Sequence, residues 1–266
     1  MDKHLDRNIK DIIAEFPAAG AALQARGIAC VSCGAGTCRL RDIVDMHNLS
    51  PEAETALMRA LALAIDPAGG LHVPEPAPRA RPAGGPKYSP PLRRLVEEHA
   101  LIKRVLAALP GFLAVTDLSS PAGAARAREI IRFIRSYADR HHHAKEERIL
   151  FRLFDPGLDV IKAMEREHET GREHVREAAA ALDAGNGPGA AKALATYREL
   201  LLDHIKKEDE VLYPWMDRNL SMKQVGNLSE SFNAADAAAP AGEIPACERI
   251  AAALAGEAAR TVPEKS

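Results

Sequence analysis

The chain has 266 residues, 35 Lys and Arg against 37 Asp and Glu, a formal net charge of −2, and 47% hydrophobic but only 4% aromatic residues. That much apolar side chain excludes disorder throughout, the near-neutral balance gives no reason to expect nucleic acid, and the shortage of aromatics favours helices packed on helices over sheets. No apolar run approaches the roughly 20 residues of a membrane span, and the start MDKHLDRNIK lacks the apolar core and cleavage site of a signal peptide, so no membrane partner and a cytoplasmic location are expected.

Residues 1–65 read as a small helical domain: Ile9 to Phe16, then a helix opened by Pro17 and closed by Gly27, a cysteine loop, and a last helix behind Ser50-Pro51. Ser50 is the expected N-cap and Pro51 the first helical residue. Cys30, Cys33 and Cys38 crowd into the loop while Cys247 stands apart, a clustering that in a reducing compartment suggests metal or redox chemistry rather than disulfide staples. Gly34 and Gly36 keep that loop small, which would let a partner approach possible redox thiols at Cys30, Cys33 and Cys38; a structural zinc with His47 or Cys247 as fourth ligand is the competing reading. From Asp66 to Pro91 there are 8 Pro and 4 Gly in 26 residues, so 66–88 is expected to be a linker.

Beyond it come four long stretches of helical period, bounded by Pro91 and Pro110, Pro121 and Pro156, Pro156 and Gly185, and Pro188 and Pro214. Short connections between them imply an all-α, antiparallel up-down four-helix bundle over residues 89–234, closed by a short amphipathic helix from about Ser221; an Ala-rich, peripheral tail is expected over 235–266. Each apolar stripe, followed at spacings of three and four, is interrupted by a histidine: His99, His142, His168 and His204. The second stripe continues through Glu146 to Ile149, and the fourth through Glu208 to Val211 and Trp215. His99 and His168 lie near their helix starts and His142 and His204 near their helix ends, so in an up-down bundle all six polar residues meet at one level. Two carboxylates in a hydrocarbon core need cations, and four neutral imidazoles with two carboxylates suit a pair of first-row transition metals with both glutamates bridging. His141 and His143 flank the ligand by about 100° on either side and are expected to stay out of direct ligation; Tyr197 and Tyr213 read as packing residues.

HHAKEERILF at 142–151 and HIKKEDEVLYPW at 204–215, with EEHALIKRV around His99 and EREHETGRE around His168, resemble the signatures of the hemerythrin-like, HHE cation-binding family. The resemblance implies two non-haem irons, with His99 and His142 on one, His168 and His204 on the other, and Glu146 and Glu208 as bridges. Oxygen carriers of that family add a fifth histidine one turn after the third-helix ligand, where this chain has Arg172. Four histidines and two glutamates are instead the ligand set of the similar repair-of-iron-centres proteins, which also carry a small cysteine-bearing domain ahead of the bundle. Those usually have adjacent cysteines, whereas the spacing Cys30-x-x-Cys33-x4-Cys38 is closer to a related short domain of uncharacterised function. The function implied is repair of iron–sulfur clusters damaged by oxidative or nitrosative stress, with iron–sulfur proteins as partners, small diatomic molecules as ligands, and a homodimer possible through the cysteine domain. The alternative is a non-enzymatic protein that binds or senses oxygen, nitric oxide or metal.

Overall fold

A computed structural model describes residues 1–28, 40, 43, 49–73 and 88–261. Those residues are helical throughout, with no extended strand among them. The three clustered cysteines and His47 lie outside the described residues, as does the linker from 74 to 87. None of the described helices is long and apolar enough to cross a membrane.

The chain divides into two compact units, one of Met1–Tyr88, Pro156–Met164 and Glu208–Asn219, the other of Ser89–Asp155, Glu165–Lys207 and Leu220–Ser266. In the first, α1 (Asp2–Leu5), α2 (Ile9–Glu15), α3 (Pro17–Gln24) and α4 (Pro51–Ile65) surround a core that includes Ile9, Ile12, Leu23, Ile28, Leu57 and Leu61. Their ends follow the local chemistry. Asn8 caps α2 by accepting from Lys10 N at 2.9 Å, and Ser50 caps α4 by accepting from Ala53 N at 3.0 Å. Gly27, at φ 72°, occupies the left-handed conformation beyond α3 that a side chain would disfavour.

The second unit carries α5 (Pro90–Val115), which does not stop at Pro110 as the sequence reading expects. Pro110 has no N–H for the carbonyl of Leu106, four residues earlier, and that carbonyl instead accepts from Arg198 Nε at 2.9 Å. A side chain from another helix thus replaces the bond proline removes. Replacing Arg198 by methionine should orphan this part-buried acceptor and lower stability by about 1–3 kcal/mol, readable as a lower urea midpoint. Next, α6 (Pro121–Phe133) starts under a Ser120 cap and passes without a break into π-helical turns at Ile134–His143 and Glu146–Leu150. They are followed by α7 (Asp159–Asp183) and α8 (Gly187–Lys207), and α8 runs on into a π-helical turn, Glu208–Leu212, and α9 (Tyr213–Asn219). A Ser221–Gln224 capping box opens α10 (Met222–Ala237).

The stretch expected as a peripheral tail is instead largely helical. It forms α11 (Glu243–Thr261), whose Cys247, Ala251 and Leu254 are buried in the second unit's core against α5 and α6. Small side chains at every third or fourth position make a stripe narrow enough for close packing, so alanine content signals here a docked helix rather than a loose end. Burial also pushes the Cys247 thiol pKa up, which suits a packing role.

Candidate metal centre

The second unit gathers His99 from α5, His142, His143 and Glu146 from the π-helical run after α6, His168 from α7 and His204 from α8, all buried. Glu208, fully buried, opens the π-helical turn that continues the His204 helix and belongs to the first unit's segments.

The π-helical turns explain where the sequence pattern slipped. Each such turn takes nearly one residue more than an α-turn, so successive side chains advance by less than about 100° and residues four apart come closer to eclipsed. His142 Nε2 and Glu146 Oε2 come within 3.7 Å across one such turn. Downstream the stripe moves on by one: Leu150, Leu212 and Met216 are buried where the α-helical period named Ile149, Val211 and Trp215. The same change of register turns His143 inward, to 5% exposure, against the expectation that it would flank the site.

Two pairs of imidazoles face each other through Nε2, His99 and His142 at 2.7 Å and His168 and His204 at 2.9 Å. Glu146 Oε2 lies between the pairs, 3.7 Å from His142 Nε2 and 3.5 Å from His168 Nε2. The opposite ring edges fix the protons. His142 Nδ1 lies 2.9 Å from Glu98, His168 Nδ1 2.8 Å from Glu147 and His204 Nδ1 2.8 Å from Glu167, and a carboxylate there can only accept. Neutral His168 and His204 thus hold their protons on Nδ1 and aim bare Nε2 lone pairs at one another. Such an arrangement repels unless a cation sits between them, and the spacing is close to the roughly 3 Å edge of a coordination shell with metal–nitrogen bonds near 2.0–2.1 Å at right angles. Nitrogen and carboxylate donors of this kind, buried together, fit the binding of a transition-metal cation.

Each supporting carboxylate is itself held by a cation on the helix whose histidine it serves. Lys145, three residues after His142, bonds Glu98; Arg172, four after His168, bonds Glu147 at 2.6 Å; Lys207, three after His204, bonds Glu167 at 2.5 Å. Burial raises the pKa of Glu98, Glu147 and Glu167, but hydrogen bonds from the histidines and from these cations outweigh it and hold all three below the usual carboxylate range. They stay ionised and keep Nδ1–H donors in place. Arg172, which stands where an oxygen carrier has its fifth histidine, is an anchor that also bonds Asp139 at 2.8 Å. Sequence reasoning missed this outer layer, although each acid flanks a ligand position: Glu98 precedes His99, Glu147 follows Glu146, and Glu167 precedes His168. Replacing Glu147 by glutamine should weaken metal retention by about 10–100-fold in a chelator competition while helix content stays unchanged.

Of the other candidates, His141 is nearly buried against Glu98 and Asp236, and His174 turns away to Glu177 at 3.1 Å. Tyr197 is buried, its ring beside Gly171. A cavity of about 570 Å³ opens onto His143, His168 and Tyr197 and is lined by Arg132, Arg135 and Arg172 among others.

These facing imidazoles and the helical His-x-x-x-Glu runs fall within a segment that matches a known domain. Residues 90–216 match the hemerythrin HHE cation binding domain. The HHE segment contains all four histidines and both glutamates read from the sequence, so cation binding, inferred above from lone pairs and buried charge, is also what the matched domain is described as doing. Over 208 residues the chain is 25% identical to uncharacterized proteins of Mycobacterium bovis and of two strains of Mycobacterium tuberculosis, covering 71% of this chain and 81% of each relative. No solved structure matches.

Proposed function

We propose that this chain is a hemerythrin-like protein whose residues 89–234 form an up-down antiparallel bundle holding two irons. His99 and His142 would hold one, His168 and His204 the other, with Glu146 and Glu208 bridging. What carries the reading is the pair of Nε2–Nε2 contacts with Glu146 Oε2 between them. Glu208 joins the set because it is fully buried and lies one turn beyond His204 on a continuous helical run. When bound, such a pair supplies a redox-active centre able to engage oxygen or nitric oxide. The protein's own part is to keep the imidazoles oriented through Glu98, Glu147 and Glu167, to keep water from most of the site, and to leave one approach through the cavity beside His168.

On this reading the protein serves in the cytoplasm to repair iron–sulfur clusters damaged by oxidative or nitrosative stress. Cys30, Cys33 and Cys38 meet the iron–sulfur partner, and dimerisation runs through their domain. The order of a cysteine-bearing segment ahead of the metal-binding segment supports it. The cavity beside His168 also favours a second reading, reversible binding or sensing of a diatomic ligand without turnover. Metal analysis and visible absorption of anaerobically purified protein, before and after oxygen, nitric oxide and azide, test the centre. Two irons per chain with absorption altered by the ligands is the expected result, and zinc or no metal would overturn it. Adding the loaded protein to an iron–sulfur protein bleached by nitric oxide then separates the readings: regained cluster absorption supports repair, and ligand binding without recovery supports sensing.

A further inference from the structure

His143 is the one buried histidine of the cluster to which the family pattern gives no role. Its side chain is 6% exposed. Its ring stacks on His168 with centroids 4.0 Å apart and planes 13° apart, and stands edge-on to His204 at 5.9 Å. One of its nitrogens falls within 4.8 Å of ligand atoms on Glu146, His168 and His204. The Nδ1 edge looks toward Asp139 Oδ1 at 4.0 Å, which repeats in looser form the carboxylate-backed arrangement of the other histidines and directs the Nε2 edge the opposite way.

We propose that His143 is a third imidazole ligand for the ion at the His168–His204 end of the centre. The inference rests on the two-iron reading above and extends it. On an α-helix adjacent histidines diverge by about 100°, and only one of them could serve the core; the π-helical run Ile134–His143 reduces that angle and brings both inward. The two ends of the centre then differ. His99 and His142 supply two nitrogens at one end, while His143, His168 and His204 supply three at the other, with Arg172 occupied as the anchor of Glu147 and Asp139. His143 and His168 both line the cavity, so removing the His143 ring should open a space that free imidazole can enter.

The test uses the full chain loaded with ⁵⁷Fe and reads its Mössbauer spectrum and iron count. In the unaltered protein the two irons should give two distinguishable doublets of equal area. His143→Ala should alter one doublet and leave the other, with iron falling from two per chain toward one after a chelator wash, and added imidazole should restore both. His143→Phe keeps a ring against His168 but offers no nitrogen; it should show the same altered doublet, and imidazole should not restore it. Doublets and iron count unchanged in both variants, or an alanine defect that phenylalanine repairs, would overturn the assignment and leave His143 as a stacking wall. Absence of paired iron in the unaltered protein would instead defeat the underlying two-iron reading.

Discussion

On the proposed two-iron reading, replacing Glu146 by alanine is expected to abolish paired metal binding while the helices persist. Glu146 approaches both imidazole pairs through one oxygen, Oε2, at 3.7 Å from His142 Nε2 and 3.5 Å from His168 Nε2. With it gone, the positive charge of two ions would meet only neutral imidazoles from this unit. Thermal unfolding makes the loss measurable, since an ion that binds only the folded chain stabilises it by about 2.7 kcal/mol at a hundredfold excess over its dissociation constant. The unaltered protein should therefore melt higher with metal than without, and Glu146→Ala should melt at one temperature in both conditions. A metal-dependent rise retained by the variant would show that the ions bind elsewhere. Glu208→Ala should behave alike if both carboxylates bridge.

The buried histidines and glutamates were legible in the sequence because His99, His142, His168, His204, Glu146 and Glu208 all fall on apolar stripes. Followed at spacings of three and four, the positions on α5 through His99 (Leu92, Leu95, Ile102, Leu106, Leu109) and on α7 through His168 (Ile161, Met164, Gly171, Val175, Ala178, Leu182) are all buried, as the stripes require. The stripes fail at Ile149, Val211 and Trp215, because a period read as α-helical cannot register the π-helical turns at Glu146–Leu150 and Glu208–Leu212. That same slip hid His143. Pro110 misled for a related reason: proline ends a helix when the carbonyl it abandons has no other donor, and Arg198, 92 residues from Leu106, is invisible to any local reading. The acids behind the histidines escaped notice because each is adjacent in sequence to one ligand and in contact with another. Charged residues beside a buried stripe read as a solvated face until helix packing shows what they reach.

Lys145 supplies the other large effect, on stability as well as on the metal. Its side chain is only 2% exposed, and its ammonium bonds Glu98, Asp236 at 3.1 Å and His141 at 3.2 Å, 5.7 Å from the centre of the Phe232 ring. Burial lowers its pKa, against the pull of Glu98, so the pair is expensive to hold and more expensive to break. Removing one partner of a buried ion pair costs about 3–5 kcal/mol, and Lys145→Met should fall near the lower end because Arg94 still faces Glu98 at 3.8 Å. In a protein of this size that corresponds to a melting temperature lower by about 6–12 °C. Adding Glu98→Gln should recover part of the loss, since the abandoned carboxylate is then neutral, giving a coupling of about 0.5–3 kcal/mol between the two positions. Metal retention should move the other way. The double variant regains stability yet still lacks the ionised carboxylate behind His142, so its iron should wash out faster than that of the unaltered chain. If the two losses simply add, Lys145 and Glu98 act independently and the account of how His142 is held is wrong.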